Sequence, residues 1–191
     1  MKLMHGNQRG LTLVEVMVGV LIMGLVGLAA AAAIIQVVNA GRNTTHMSAV
    51  RQVQTAGYWV SGDGLQAQEV IDDDLDTLPI EIEVSSHPEI EDLEGTKILF
   101  FKWQDWGGGD THDIVYSLQS TGSGSLKTLR RYEKINDGQW TPTLVAQYID
   151  ASATSCEWTD SSHQTFNFKV TATVEQQTES RTYEITPRPE T

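Results

Sequence analysis

Glu15 is the residue whose surroundings ask for chemistry. It follows Leu11, Leu13 and Val14 and precedes Val16–Ile35, 20 consecutive residues drawn only from Val, Met, Gly, Leu, Ile and Ala. An ionised side chain costs about 2.5 to 3.5 kcal/mol near the middle of an inserted apolar helix, and less near its end. Such groups are therefore expected to have a partner. The plain alternative is a carboxylate that snorkels to the headgroups, since Glu15 lies at one end of the run.

The other reactive groups form weaker constellations. Cys156 is the only cysteine, so an intramolecular disulfide is excluded. Flanked by Ser155 and Glu157 in a strand-like stretch, with no histidine near it in sequence, it reads as a small core residue and not as a nucleophile. The five histidines, His5, His46, His87, His112 and His163, are scattered, and no HExxH, Gly-x-Ser-x-Gly or phosphate loop occurs. Gly107–Gly109 reads as a turn. Asp72, Asp73, Asp74 and Asp76 form the one candidate metal cluster, with calcium as the cation that favours several carboxylate oxygens. The cluster lacks the glycine and terminal glutamate of an EF-hand loop, and a solvated acidic loop is the competing reading. A second acidic stretch, Glu81, Glu83, Glu89, Glu91, Asp92 and Glu94, reads as an exposed loop serving solubility or docking another subunit. The expectation is a chain that is no enzyme and needs no cofactor, calcium being the one option left.

These groups must be positioned by a chain of 191 residues, enough for one globular domain with its own core. The formal charge of −12 falls on the part after the apolar run. Nucleic-acid binding draws most of its affinity from Lys and Arg on phosphates, so no nucleic acid is expected as a partner. Lys127, Arg130, Arg131 and Lys134 are read as a solvated strand face, with a local basic patch as the alternative.

Residues 1–10, MKLMHGNQRG, carry Lys2 and Arg9 and no acid. Positive charge before an apolar span holds that end in the cytoplasm and sends the remainder outward. Two readings need only these features: a secretory signal cut within Ala29–Ala33, or an uncleaved signal anchor on an arbitrary exported domain. Neither gives Glu15 a partner.

The run Arg9-Gly10-Leu11-Thr12-Leu13-Val14-Glu15-Val16 resembles the processing motif of type IV pilins and type II secretion pseudopilins: Gly, an apolar residue, Thr, two apolar residues and Glu, then an unbroken apolar stretch. The resemblance implies cleavage between Gly10 and Leu11 by the prepilin peptidase and N-methylation of Leu11. It further implies that Thr12 and Glu15 belong to the assembly site, with Glu15 meeting the Leu11 ammonium of a neighbouring subunit. An unpaired charge in hydrocarbon is far costlier than a paired one, so such a pair would set the axial register of otherwise featureless helices. The chain has Leu11 where most members have Phe, no proline within Ala29–Ala33 and no cysteine pair near its end. These departures point to a minor pilin or pseudopilin over a major pilin.

Met47, Val50, Val53, Ala56, Gly57 and Val60 follow three-and-four spacing, which extends the helix out of the apolar run. One helix from about Thr12 to about Val60, on the order of 70 Å long, is predicted. Gly57, Gly62, Asp63 and Gly64 are expected to stop it, with a short second helix over Leu65–Ile71. Strands are expected at Lys97–Trp103, His112–Leu118, Leu126–Tyr132, Thr143–Ile149, over the alternation from Phe166 to Glu175, and around Tyr183 and Ile185. Turns fall at Gly107–Asp110, Thr121–Ser125 and Gln176–Glu179. A long helix followed by an antiparallel sheet is an α+β pilin-like roll. The order of Ile98–Trp103, the Gly-rich turn, Ile114–Tyr116 and Leu126–Arg131 also resembles the J-type minor pseudopilin.

The expected organisation is a leader over 1–10, a transmembrane and assembly half of the helix over 11–38, and an exported globular domain over 39–191. The chain would sit in the cytoplasmic membrane of a prokaryote, N-terminus inside, and enter a pilus or pseudopilus. Its partners would be the prepilin peptidase, other pilin-like subunits and the assembly platform. Two rivals stand beside this: an exported binding or enzymatic domain on a signal anchor, and a DNA-uptake minor pilin.

Overall fold

The protein was described from a computed structural model covering residues 12–71, 88–120, 124–159 and 164–188. The chain divides into two compact units, Met1–Asn43 and Thr44–Thr191. One helix, α1 (Leu13–Gly64), runs through the boundary. In the first unit its large apolar side chains are exposed all round, Leu13 at 78% and Met23 at 77% among them. This stretch is long and apolar enough to cross a membrane.

In the second unit α1 becomes one-sided. Ala49, Val53, Ala56, Gly57 and Val60 are buried, whereas Met47 is 53% exposed. The expected stripe is thus shifted at its start, with Ala49 taking the place assigned to Met47. Gly57 does not weaken the helix as expected. A Cβ there would land inside the Tyr183 ring, whose hydroxyl donates to the Val53 carbonyl at 3.2 Å. Glycine at this point lets an aromatic ring lie directly on the helix backbone.

The helix meets an antiparallel sheet of eight strands: β1 (Glu69–Ile71), β2 (Thr96–Gln104), β3 (Thr111–Ser120), β4 (Leu126–Ile135), β5 (Thr141–Asp150), β6 (Ser155–Trp158), β7 (Phe166–Val174) and β8 (Gln177–Ile185). Their order is β1-β2-β3-β4-β5-β7-β6, with β8 also paired to β7. The fold is the α+β pilin-like arrangement of a long N-terminal helix on an antiparallel sheet. A single pair, Ile149 with Ala172, joins β5 to β7, while β7 and β8 pair along their full length from Phe166–Ile185 to Val174–Gln177.

Two expected elements are corrected. Leu65–Ile71 is no helix: Gln68 N donates to Lys102 O at 2.9 Å and Gln104 N donates to Gln68 Oε1 at 3.0 Å, so the segment is drawn onto the edge of β2. The last hairpin turns at Glu175–Gln176, with Glu175 at φ 53°, and Gln177–Glu179 already lie in β8.

The main core lies between α1 and one face of the sheet, around Leu99, Phe101, Ile114, Tyr116, Phe166 and Phe168. The opposite face carries a second cluster of Phe100, Val115 and Tyr132, covered by Ile90 and Leu93. Because β2 is thus buried on both faces, it reads as a near-continuous apolar run. The part of the acidic stretch around Glu89 is therefore more than an exposed loop. Its Ile90 is fully buried, and Trp140 Nε1 donates to the Glu89 carbonyl at 3.2 Å. Likewise Thr171, a polar position in the alternation from Phe166 to Glu175, is 4% exposed, and its hydroxyl donates to Ala153 O at 2.9 Å under the short turn Ala151–Ala153.

Candidate functional site

Thr12 and Glu15, separated by two residues in sequence, are brought together at the start of α1. Thr12 stands just before the first helical residue, where the first turn of backbone N–H groups lacks intrahelical partners. Its hydroxyl accepts from Glu15 N at 3.3 Å. In return Glu15 Oε2 accepts from Thr12 N at 2.9 Å and from the Thr12 hydroxyl at 3.0 Å. This is a reciprocal capping box. The carboxylate also stands at the positive end of the helix dipole, which favours it there. The sequence carried the signal, since Thr-x-x-Glu ahead of an apolar run is the signature of that motif.

Gly10 and Leu11 lie outside the described residues, as do Asp72, Asp73, Asp74 and Asp76. Among the described residues no group of three or more His, Cys, Asp and Glu is placed to hold a metal ion.

The densest polar cluster is elsewhere, and sequence reasoning missed it. Asp63, in the last turn of α1, accepts from Arg131 Nε at 2.6 Å and from Arg131 Nη2 at 3.1 Å, and from the Tyr116 hydroxyl at 2.5 Å. Arg131 Nη1 also donates to Glu133 Oε2 at 2.8 Å, and its guanidinium lies 5.3 Å from the Trp59 ring centre. Burial alone would make Arg131 easier to deprotonate, but its hydrogen bonds to Asp63 and Glu133 outweigh that and hold it charged. Tyr116, pushed up by burial and by the Asp63 charge, stays a neutral donor. Glu133 is held below the usual carboxylate range, chiefly by its hydrogen bond from Arg131. The cluster ties the end of the helix to the middle of the sheet.

It also takes Arg131 off the solvated strand face expected for Lys127, Arg130, Arg131 and Lys134. Arg131 is 6% exposed on the helix side of the sheet and paired, and Lys134 pairs with Asp113 at 3.0 Å. Lys127 Nζ donates to Ser120 Oγ at 2.6 Å. A cavity of about 440 Å³ opens beside Leu126, Lys127, Thr128, Gln147 and Tyr148, with Lys127 as the one charged lining residue among the described residues. Cys156 is enclosed in the core, 1% exposed, and burial pushes its thiol well above the ordinary value. A thiol so placed is a poor nucleophile.

No curated protein and no solved structure matches the chain. The family model described as the prokaryotic N-terminal methylation motif does match, over residues 5–31, the stretch that contains both Thr12 and Glu15. The chain thus carries a prepilin-type N-terminal motif, leading through one long helix into an α+β pilin-like fold.

Proposed function

We propose that this chain is a minor pilin or pseudopilin, a structural subunit of a type IV pilus or type II secretion-like filament. In this reading the prepilin peptidase cuts between Gly10 and Leu11, and Leu11 is then N-methylated. Residues 11–38 anchor the subunit in the cytoplasmic membrane, with residues 39–191 exported. Assembly with other pilin-like subunits, on an assembly platform, brings Glu15 to the Leu11 ammonium of a neighbour. The chain performs no reaction of its own.

The observation that carries the reading is an acid at the third position of a helix whose next turns are apolar on every side. A soluble helix has no use for such a surface, and the Thr12 cap, made of neutral donors, leaves the acid without a counter-charge. The match to the methylation motif over residues 5–31 supports the same reading.

Two measurements test it. Intact-mass and N-terminal peptide analysis of the membrane-extracted protein is expected to give a chain beginning at Leu11, heavier by one methyl group. Glu15→Gln is expected to insert normally and to fail to enter filaments. A mature chain that begins at another residue, or a Glu15→Gln subunit that assembles like the parent, overturns the proposal.

A further inference from the structure

Trp106 is 90% exposed, more than any other large apolar residue described. It stands in the turn between β2 and β3, and that turn is braced. Asp105 N donates to Asp110 O at 2.9 Å, Gly109 N to Asp105 O at 3.3 Å, and Gln104 Nε2 to Gly109 O at 3.2 Å. Beyond the end of β4, Asn136 Nδ2 donates to Asp110 Oδ1 at 2.8 Å, and Asn136 Oδ1 accepts from Thr111 N at 2.9 Å. An indole held out in water by a braced turn adds nothing to the core. Tryptophan is, however, among the side chains that most often dominate a protein contact.

The other end of the same strands holds a hollow of matching character. Between the pairs Lys127–Ile149 and Leu129–Ala146, β4 supplies one residue and β5 two, so Gln147 and Tyr148 form a bulge. Tyr148 takes φ 60°, a conformation that bulky residues rarely adopt, and Gln147 N donates to Gln52 Oε1 at 2.7 Å, tying the bulge to α1. The Tyr148 side chain is left 47% exposed, lining the cavity of about 440 Å³ with Leu126 and Lys127. Cavities of about 300 to 1,000 Å³ take small organic ligands, so an indole fits. Lys127 donates to the neutral Ser120 hydroxyl and has no carboxylate partner among the described residues. Trp106, for its part, stands between the exposed acids Asp105 and Asp110. The ten residues of β3 separate the turn from Ser120 by about 30 Å, so Trp106 is out of reach of the cavity in its own chain.

We propose that Trp106 of one copy of this chain seats in the cavity beside Leu126, Lys127 and Tyr148 of a second copy, bringing Asp105 and Asp110 to Lys127. Each copy offers the knob at one end of its strands and the hollow at the other. Such a contact is heterologous, and it adds copies in a row until rotation closes a ring. The charge pairing orients the encounter, while burial of the indole supplies the attraction. The contact is separate from the one proposed for Glu15.

The test is cross-linking of the full chain in detergent at about 0.15 M salt, where repulsion between acidic copies is largely screened. Thr111→Cys marks the knob end and Ser125→Cys the cavity end, and the enclosed Cys156 gives no background. With a flexible bismaleimide, the chain carrying both cysteines is expected to give a ladder of dimers, trimers and larger species. Either cysteine alone is expected to give monomer. Adding Trp106→Ala or Lys127→Glu to the double-cysteine chain is expected to lower the ladder on the order of tenfold, as for the loss of a central anchor. Trp106→Ala with Ser125→Cys, mixed with Lys127→Glu with Thr111→Cys, keeps one intact knob and one intact cavity, and is expected to give dimers and nothing larger. Glu15→Gln in the double-cysteine chain is expected to leave the ladder unchanged. Cross-linking to other proteins only, dimers from a single cysteine, or a ladder that survives Trp106→Ala overturns the inference. A ladder that Glu15→Gln abolishes belongs to α1 and overturns it too, whereas a normal ladder from a Glu15→Gln chain that also enters filaments sinks the proposed function alone.

Discussion

Removing the Asp63 carboxylate is the sharpest way to probe how the helix is fastened to the sheet. In Asp63→Ala the Arg131 side chain, 7% exposed, loses its bidentate partner and keeps only Glu133 and the face of Trp59. Breaking a buried pair by removing one partner costs about 3 to 5 kcal/mol, and the surviving Glu133 contact favours the lower end. The fully buried Tyr116 hydroxyl is orphaned as well, adding about 1 kcal/mol. A total near 4 kcal/mol corresponds to a fall in Tm of about 8 to 16 °C for a unit of this size. Replacing both charges by apolar groups of similar volume, Asp63→Leu with Arg131→Met, leaves the Tyr116 hydroxyl without its acceptor and the part-exposed Glu133 without its Arg131 donor, and is expected to cost less than Asp63→Ala alone. Near-UV circular dichroism of the full chain in detergent follows the loss of aromatic packing in the core between α1 and the sheet. A double variant that falls as far as the two single ones added together, or an Asp63→Ala protein that melts within about 2 °C of the parent, refutes the account of a buried, coupled pair.

Two more outcomes follow from the same core. Gly57→Ala is expected to cost about 1 to 3 kcal/mol by forcing a methyl into the Tyr183 ring, and Tyr183→Ala in the same chain should recover part of that loss in a thermal melt. Glu133 is ionised more readily in the fold than in the unfolded chain, so its contribution is present above its unfolded pKa, about 4.3, and is lost as pH falls through the lower folded value. Glu133→Gln should therefore be less stable than the parent at pH 7, with the gap closing below about pH 4 in urea titrations at stepped pH.

The strands were legible wherever one face is wet, because alternation then survives in the sequence. Phe166, Phe168, Val170 and Ala172 are all buried as their spacing predicts. Alternation fades in the first half of β8, where Thr178, Glu179, Ser180 and Arg181 supply no apolar residue, so Gln177–Glu179 read as part of the turn. Leu65–Ile71 has helical composition, and pairing with β2 overrides it, a tertiary effect invisible to local propensity. Ile90 is hidden in a run of acids, and nothing local marks it as the plug of a second core. Asp63 and Arg131 stand 68 residues apart, and each has a bland local reading, one as a helix end and the other as a basic strand position. At the candidate site the balance is reversed. Thr12 and Glu15 interact within one turn, so their spacing alone contains the geometry.

Cys156 has a practical consequence. It is the chain's sole thiol, it is enclosed, and burial keeps it protonated far into the alkaline range. Maleimides and disulfide reagents attack thiolates that they can reach, and this one offers neither charge nor access. A cysteine introduced at Tyr58 or Trp106, which are 75% and 90% exposed, would then be the one reactive handle on an otherwise unaltered molecule. Fluorophores, spin probes or crosslinkers can be attached there without first stripping out the native sulfur.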